Sequence, residues 1–256
     1  MLDNGLCRFL LVVSCAVLVA CGSAQSKPAI VANPEMVHKK IQLGKSYIQT
    51  GNFERAKFHL RDALNLAPES AEVYDALALM FMATGEETLA DEYFAEALKR
   101  NSNNSRYRNN YASFLLAKSR YKEAEPHFVF VVEDVLYENR TDAMVSLAIC
   151  RRELGQLDSA KELLAKVLRF NRLHANALYF SSVIALDEQR ISDAFDAWQR
   201  LNMSSQESPA LLSLGIKIAN AQGRQNDAAS LAVRLASLYP DSIENQQIKR
   251  DQNNLK

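Results

Sequence analysis

Six alanines stand almost evenly spaced along this chain: Ala56, Ala90, Ala124, Ala160, Ala194 and Ala228, at steps of 34, 34, 36, 34 and 34 residues. A second series runs five positions ahead of it, at Gly51, Gly85, Ser119, Gly155, Gln189 and Gly223. A constant period of this length means that one supersecondary unit is copied and that the copies stack. The residue types say what the unit is. A glycine just past a helix end takes the left-handed conformation at little steric cost, so the glycine series predicts a turn. A small alanine in the next helix lets two antiparallel helices approach closely. The unit is a helix–turn–helix, and its phase holds for 172 residues from Ala56 to Ala228.

The period and these residue types resemble the tetratricopeptide repeat. The implied fold is all-α, a right-handed α-solenoid of about six such repeats. Aligned on the alanines, the units are Val37–Ser70, Ala71–Asn104, Ser105–Glu138, Thr141–His174, Ala175–Ser208 and Pro209–Ser242, with Asn139 and Arg140 inserted between the third and fourth. The first unit carries Leu43, Gly44, Tyr47, Gly51, Ala56, Ala63 and Pro68, a full repeat signature. The fifth is the most degenerate, and Ala194 and Trp198 hold its register; Trp198 falls where Phe94 and Phe128 fall in theirs, a core position. Stacked helix pairs usually bind other proteins and seldom perform chemistry.

The ends of the chain follow other rules. Phe9 to Ala20 is an apolar run preceded by Arg8 and closed by Leu18-Val19-Ala20-Cys21-Gly22. Such a run is short for a membrane span and reads as a signal peptide, residues 1–20, that is removed. Its ending resembles the bacterial lipobox, which predicts a covalent lipid on Cys21 and, because no Asp follows the cysteine, the outer membrane. Residues 21–34, with two prolines and no helical period, read as a flexible tether. The repeat domain is then 35–242, and the polar residues 243–256 form a capping tail that frays. Cys7 and Cys15 leave with the signal peptide, so Cys150 remains a lone thiol in an apolar stretch, a buried packing residue.

Charge and motif content narrow the function. Lys plus Arg and Asp plus Glu are both 30, so nothing predicts a nucleic-acid partner. His38, His59, His127 and His174 have no second His or Cys at zinc-ligand spacing, and there is no nucleophile elbow, P-loop or dinucleotide fingerprint. The reading is a protein that is not an enzyme and has no small-molecule substrate, metal or cofactor apart from the lipid. In this repeat family the first helix of each unit lines a groove, and its second, fifth, ninth and twelfth positions face a ligand. The groove candidates are Ile41, Lys45 and Ile48 in unit one, Asp75, Leu79 and Met82 in unit two, and Asn109, Ser113 and Leu116 in unit three. His38, Glu72 and Arg106 hold the second positions. Packing of the adjacent repeat competes for the same positions. The apolar members favour a peptide or strand with apolar anchors over an acidic tail.

A closer resemblance lies in ordered segments. Gly51-Asn52-Phe53-Glu54-Arg55-Ala56-Lys57 with Leu60-Arg61-Asp62-Ala63-Leu64, Leu89-Ala90-Asp91-Glu92-Tyr93-Phe94, Asn109-Asn110-Tyr111-Ala112-Ser113-Phe114-Leu115, and Leu238-Tyr239-Pro240-Asp241-Ser242-Ile243-Glu244 follow one another. With the lipobox and short tether they resemble the type IV pilus biogenesis/stability lipoproteins, the pilotins. The resemblance implies a lipid-anchored, periplasm-facing outer-membrane protein. Such a protein binds the pilus secretin, promotes its localisation and multimerisation, and so supports pilus biogenesis and twitching motility. The alternative is a general repeat adaptor lipoprotein for cell-wall synthesis or hydrolysis complexes.

Overall fold

A computed structural model describes residues 33–254. The predicted signal peptide, Cys21 and nearly all of the tether lie outside them. Within them the chain forms six antiparallel helix pairs: α1 (Pro34–Gln49) with α2 (Phe53–Leu66), α3 (Ala71–Thr84) with α4 (Glu87–Arg100), α5 (Ser105–Ala117) with α6 (Tyr121–Glu133), α7 (Arg140–Glu153) with α8 (Leu157–Phe170), α9 (Ala175–Asp187) with α10 (Ile191–Ser204), and α11 (Pro209–Ala221) with α12 (Gln225–Leu238). A thirteenth helix, α13 (Ile243–Asn254), follows.

The helix boundaries have local causes. Asn33, Asn52, Asn104 and Ser208 cap their helices by accepting a backbone N–H in the first turn, and Pro34 and Pro209 start helices where a missing N–H costs nothing. Each turn within a pair passes through one left-handed residue. The glycines Gly51, Gly85, Gly155 and Gly223 take φ of 72–78° there, and Ser119 and Gln189, the two departures from the series, take 57° and 60°. The turn is therefore set by the repeat, not by glycine alone.

Packing explains the alanines. Ala56, Ala90, Ala124, Ala160 and Ala194 are wholly buried, as are the small residues Ala78, Ala112 and Ser182 on the facing helices. Close approach is tight at Gly44, where a Cβ would stand 2.6 Å from the Leu60 side chain. Phe94, Phe114 and Phe128 fill the spaces between pairs, and the first core cluster runs from Val37 to Cys150 without a break. Trp198 packs between α10 and α11, as its register predicts, and Cys150 is buried.

The tail differs from its expectation. Residues 243–254 are helical rather than frayed, because Ile248 joins the core cluster of α11 and α12 and the buried Asn245 donates to the Pro240 carbonyl at 2.7 Å. α13 thus stands where the first helix of a seventh repeat would stand, packed on α11 and α12.

Curvature follows from which helices meet. α1 touches α3, α3 touches α5, and the series continues to α11, whereas no even-numbered helix touches the next even-numbered one. The odd-numbered helices therefore lie on the inner face of the bend and the even-numbered ones on the outer face.

Candidate functional site: the inner groove of repeats one to three

The inner groove is built by α1, α3 and α5, and it is two-toned. One part of it is a charged network that runs from the starts of α3 and α5 to the third turn of α1. Glu72 on α3 pairs with Lys45 on α1 at 3.1 Å and with Arg106 on α5 at 3.5 Å, tying three repeats together. Burial works against the Glu72 carboxylate, but the Lys45 hydrogen bond and the charges of Lys45 and Arg106 hold it below its usual range. The Arg106 guanidinium lies over the Tyr107 ring at 5.1 Å. Toward the far ends of the same helices Ile48, Met82 and Leu116 occupy equivalent positions, with Leu79 beside them. Met82 is 39% exposed; Ile48, Leu79 and Leu116 are half-buried and rest against the core. A row of partly covered apolar side chains beside a charged row suits an extended ligand with apolar anchors.

Most of the sequence candidates share this face, but two do not meet a ligand. Ile41 is 1% exposed and belongs to the core, where α1 packs on α3; it is not a groove anchor. Asp75 is likewise 1% exposed, because α5 closes over it: Asn110 Nδ2 donates to Asp75 Oδ1 at 2.8 Å, and Asp75 Oδ2 is buried without a partner. Burial pushes this carboxyl up to about 6, against the lowering effect of Asn110, Arg106 and Lys45. Its place is structural, at the junction of repeats two and three. Lys45 is present but engaged with Glu72, Asn109 is half-buried, and Ser113 is exposed. Sequence reasoning missed the Asp75–Asn110 pair. The available signal was two polar residues 35 positions apart, one repeat plus one residue, on neighbouring inner helices.

Among the described residues no group of three or more His, Cys, Asp or Glu is placed to hold a metal ion. No described helix is long and apolar enough to cross a membrane.

Six stacked helix pairs with left-handed turns, small residues at the crossings and an inner groove define a tetratricopeptide repeat solenoid. Family models described as tetratricopeptide repeat match residues 40–70, 76–128 and 146–204. The chain is 32% identical over 243 residues to the type IV pilus assembly protein PilF of Pseudomonas aeruginosa, spanning 95% of this chain and 96% of PilF. It therefore belongs to the PilF family of tetratricopeptide repeat proteins. The solved structure of Pseudomonas aeruginosa PilF matches with a TM-score of 0.74 at 33% identity, covering 85% of this chain and 98% of that one. That of PilW, a widely conserved type IV pilus biogenesis factor, matches with a TM-score of 0.76 over 83% of this chain and 97% of its own, and at 23% identity shows the shared fold.

Proposed function

We propose that this chain is an outer-membrane lipoprotein of type IV pilus biogenesis that binds the pilus secretin and promotes its localisation and multimerisation. The observation that carries the reading is the relationship to PilF along nearly the whole of both chains. The groove supports it, since Ile48, Leu79, Met82 and Leu116 present apolar contacts. The lipid on Cys21 anchors the protein. One acyl chain binds a bilayer only marginally and two or more hold it firmly, as a lipoprotein cysteine requires. Held at the membrane, the repeats raise the local concentration of secretin subunits, and assembly needs no chemical step.

The test is secretin assembly in cells lacking the gene, read as heat-resistant multimers in separated inner and outer membranes. Loss of multimers, restored by the wild-type gene, supports the reading. Failure of Cys21→Ala to restore outer-membrane multimers assigns the localising role to the lipid. Normal multimers in the deletion, with an altered cell wall, would replace this reading with the cell-wall adaptor.

A further inference from the structure

The two rims of the solenoid differ in a way that secretin recognition does not use. Because the helices alternate in direction, the turns within pairs lie on one rim. The turns between pairs, the start of α1 and the start of α13 all lie on the other. Among the described residues, twelve large apolar side chains are exposed, and eight of them stand on this second rim, including Val135, Leu136, Phe170, Leu173 and Met203. Their exposure is high: Leu136 is 90%, Met203 81% and Phe170 72% accessible. On the opposite rim only Met82 comes near the turns. Scattered exposed apolar residues need no explanation, but a concentration along one edge does.

Positive charge gathers at one junction of this rim, between α8 and α10, although Glu69, Asp134, Glu138, Glu207 and Asp241 stand at its turns. Residues 163–178 and 197–206 contain Lys166, Arg169, Arg172 and Arg200 and no Asp or Glu, in a chain whose charges balance. Arg169, Arg172, Leu173 and Arg200 line one shallow groove, and Arg200 donates to the Arg172 carbonyl, which fixes the two turns side by side. The nearby ion pairs are Arg151–Glu125, His174–Asp142 and, at the α10–α11 turn, Arg234–Glu207; among the described residues none includes these four cations. Phe170 adjoins Arg169, and Met203 lies one turn beyond Arg200 on the same face of α10.

We propose that this rim rests on an anionic phospholipid surface, with Phe170, Leu173 and Met203 entering the headgroup–acyl boundary and Arg169, Arg172 and Arg200 meeting lipid phosphates. Apolar side chains projecting beside cations are what interfacial binding needs, and no shape-matched pocket is required. Together with Val135, Leu136, Leu238 and Ile243, these residues stand at four successive inter-repeat junctions, which fits one extended partner rather than a protein knob. The described chain also begins, at Asn33, on this rim. A tether from Cys21 to that point, about 40 Å when fully extended, leaves the solenoid on the side of its own membrane contact. The inference rests on the reading that the protein works at a membrane, but its test omits Cys21, so the two fail separately.

A chain beginning at Gly22 keeps every described helix and the whole core, and lacks the lipidated cysteine. It is floated with vesicles of phosphatidylethanolamine and phosphatidylglycerol, and with vesicles of phosphatidylcholine alone. It rises with the anionic vesicles, less so at high salt. Arg169→Gln and Arg172→Gln each weaken the association about fivefold, and Phe170→Ser with Met203→Ser abolishes it. All four side chains are exposed, so an unchanged melting temperature confirms that these variants fold. A chain that floats with no vesicle, or variants that float as the wild type does, overturn the proposal. So does a dimer in solution that the same variants break, which would make the rim a self-interface.

Discussion

Trp198 on α10 lies against the backbone of Gly215 on α11 so closely that a Cβ at 215 would stand 2.5 Å from Trp198 Cζ2. The indole cannot swing aside freely, because its Nε1 donates to the Leu211 carbonyl at 2.9 Å. Gly215→Ala should therefore cost about 1–3 kcal/mol, the usual penalty of overpacking a fixed contact. Urea denaturation measures it, and a double-mutant cycle with Trp198→Phe should return part of the loss. Equal costs in the two backgrounds would mean that the indole is not what the new methyl meets.

The left-handed turns give a second prediction. A Cβ at Gly85 would touch nothing within 4 Å, so Gly85→Ala isolates the backbone cost of φ 78° and should destabilise by about 1 kcal/mol. Gln189, already at φ 60°, should respond in the opposite sense, with Gln189→Gly gaining about 0.5–1 kcal/mol. Ser119→Gly is the less clean experiment, since Ser119 Oγ also accepts from the Tyr121 hydroxyl at 3.1 Å. Shifts of the same sign at 85 and 189, read by denaturation midpoint, would contradict this account of the turn.

Asp75 predicts a pH dependence. Burial raises its carboxyl from 3.8 to about 6, so the folded state holds the proton more tightly than the unfolded chain does. The stability this supplies is complete below pH 3.8 and is lost as the pH rises through about 6. The full change is about 3 kcal/mol, from 1.36 kcal/mol per unit. Asp75→Asn has no proton to lose. The stability of wild type relative to Asp75→Asn should therefore fall between pH 4 and pH 7, and a difference that stays flat would show that the carboxyl does not titrate there.

Cys150 is buried, and burial, with Glu125 and Glu153 nearby, pushes its thiol up to about 12. The thiolate is the reactive form, so a chain beginning at Gly22, whose one cysteine this is, should resist iodoacetamide when folded and react at once in urea. Rapid labelling in native buffer would contradict the packing role.

The repeat architecture was legible because it is written redundantly. The small residue at the crossing and the turn residue recur together, so the loss of glycine at 119 and 189 does not lose the phase. The groove was less legible because one position serves two purposes. The fifth residue of the first helix faces inward, and whether it meets a ligand depends on what the next repeat lays over it. Ile41 is covered where α1 packs on α3, and Asp75 by Asn110 of α5. Ile48 and Met82, nearer the helix ends, escape that cover, as the exposure of Met82 shows. The helical tail was hidden by composition: its mean character is polar, and among the described residues Asn245 and Ile248 are its buried anchors. The apolar rim was invisible for a different reason. Val135, Phe170 and Met203 are far apart in sequence and become neighbours only when the junctions between pairs align.

The proposed secretin site is the inner groove of the first three repeats. The most direct measurement is the affinity of the purified chain for the soluble secretin subunit, wild type against Ile48→Glu with Met82→Glu, with melting temperature as the folding control. Apolar anchors at the centre of an interface typically carry 2 kcal/mol or more, so the double variant should bind at least about thirtyfold more weakly while remaining folded. Unchanged affinity in a folded double variant would contradict the groove as the binding surface, and no binding by the wild type would contradict the secretin as the partner.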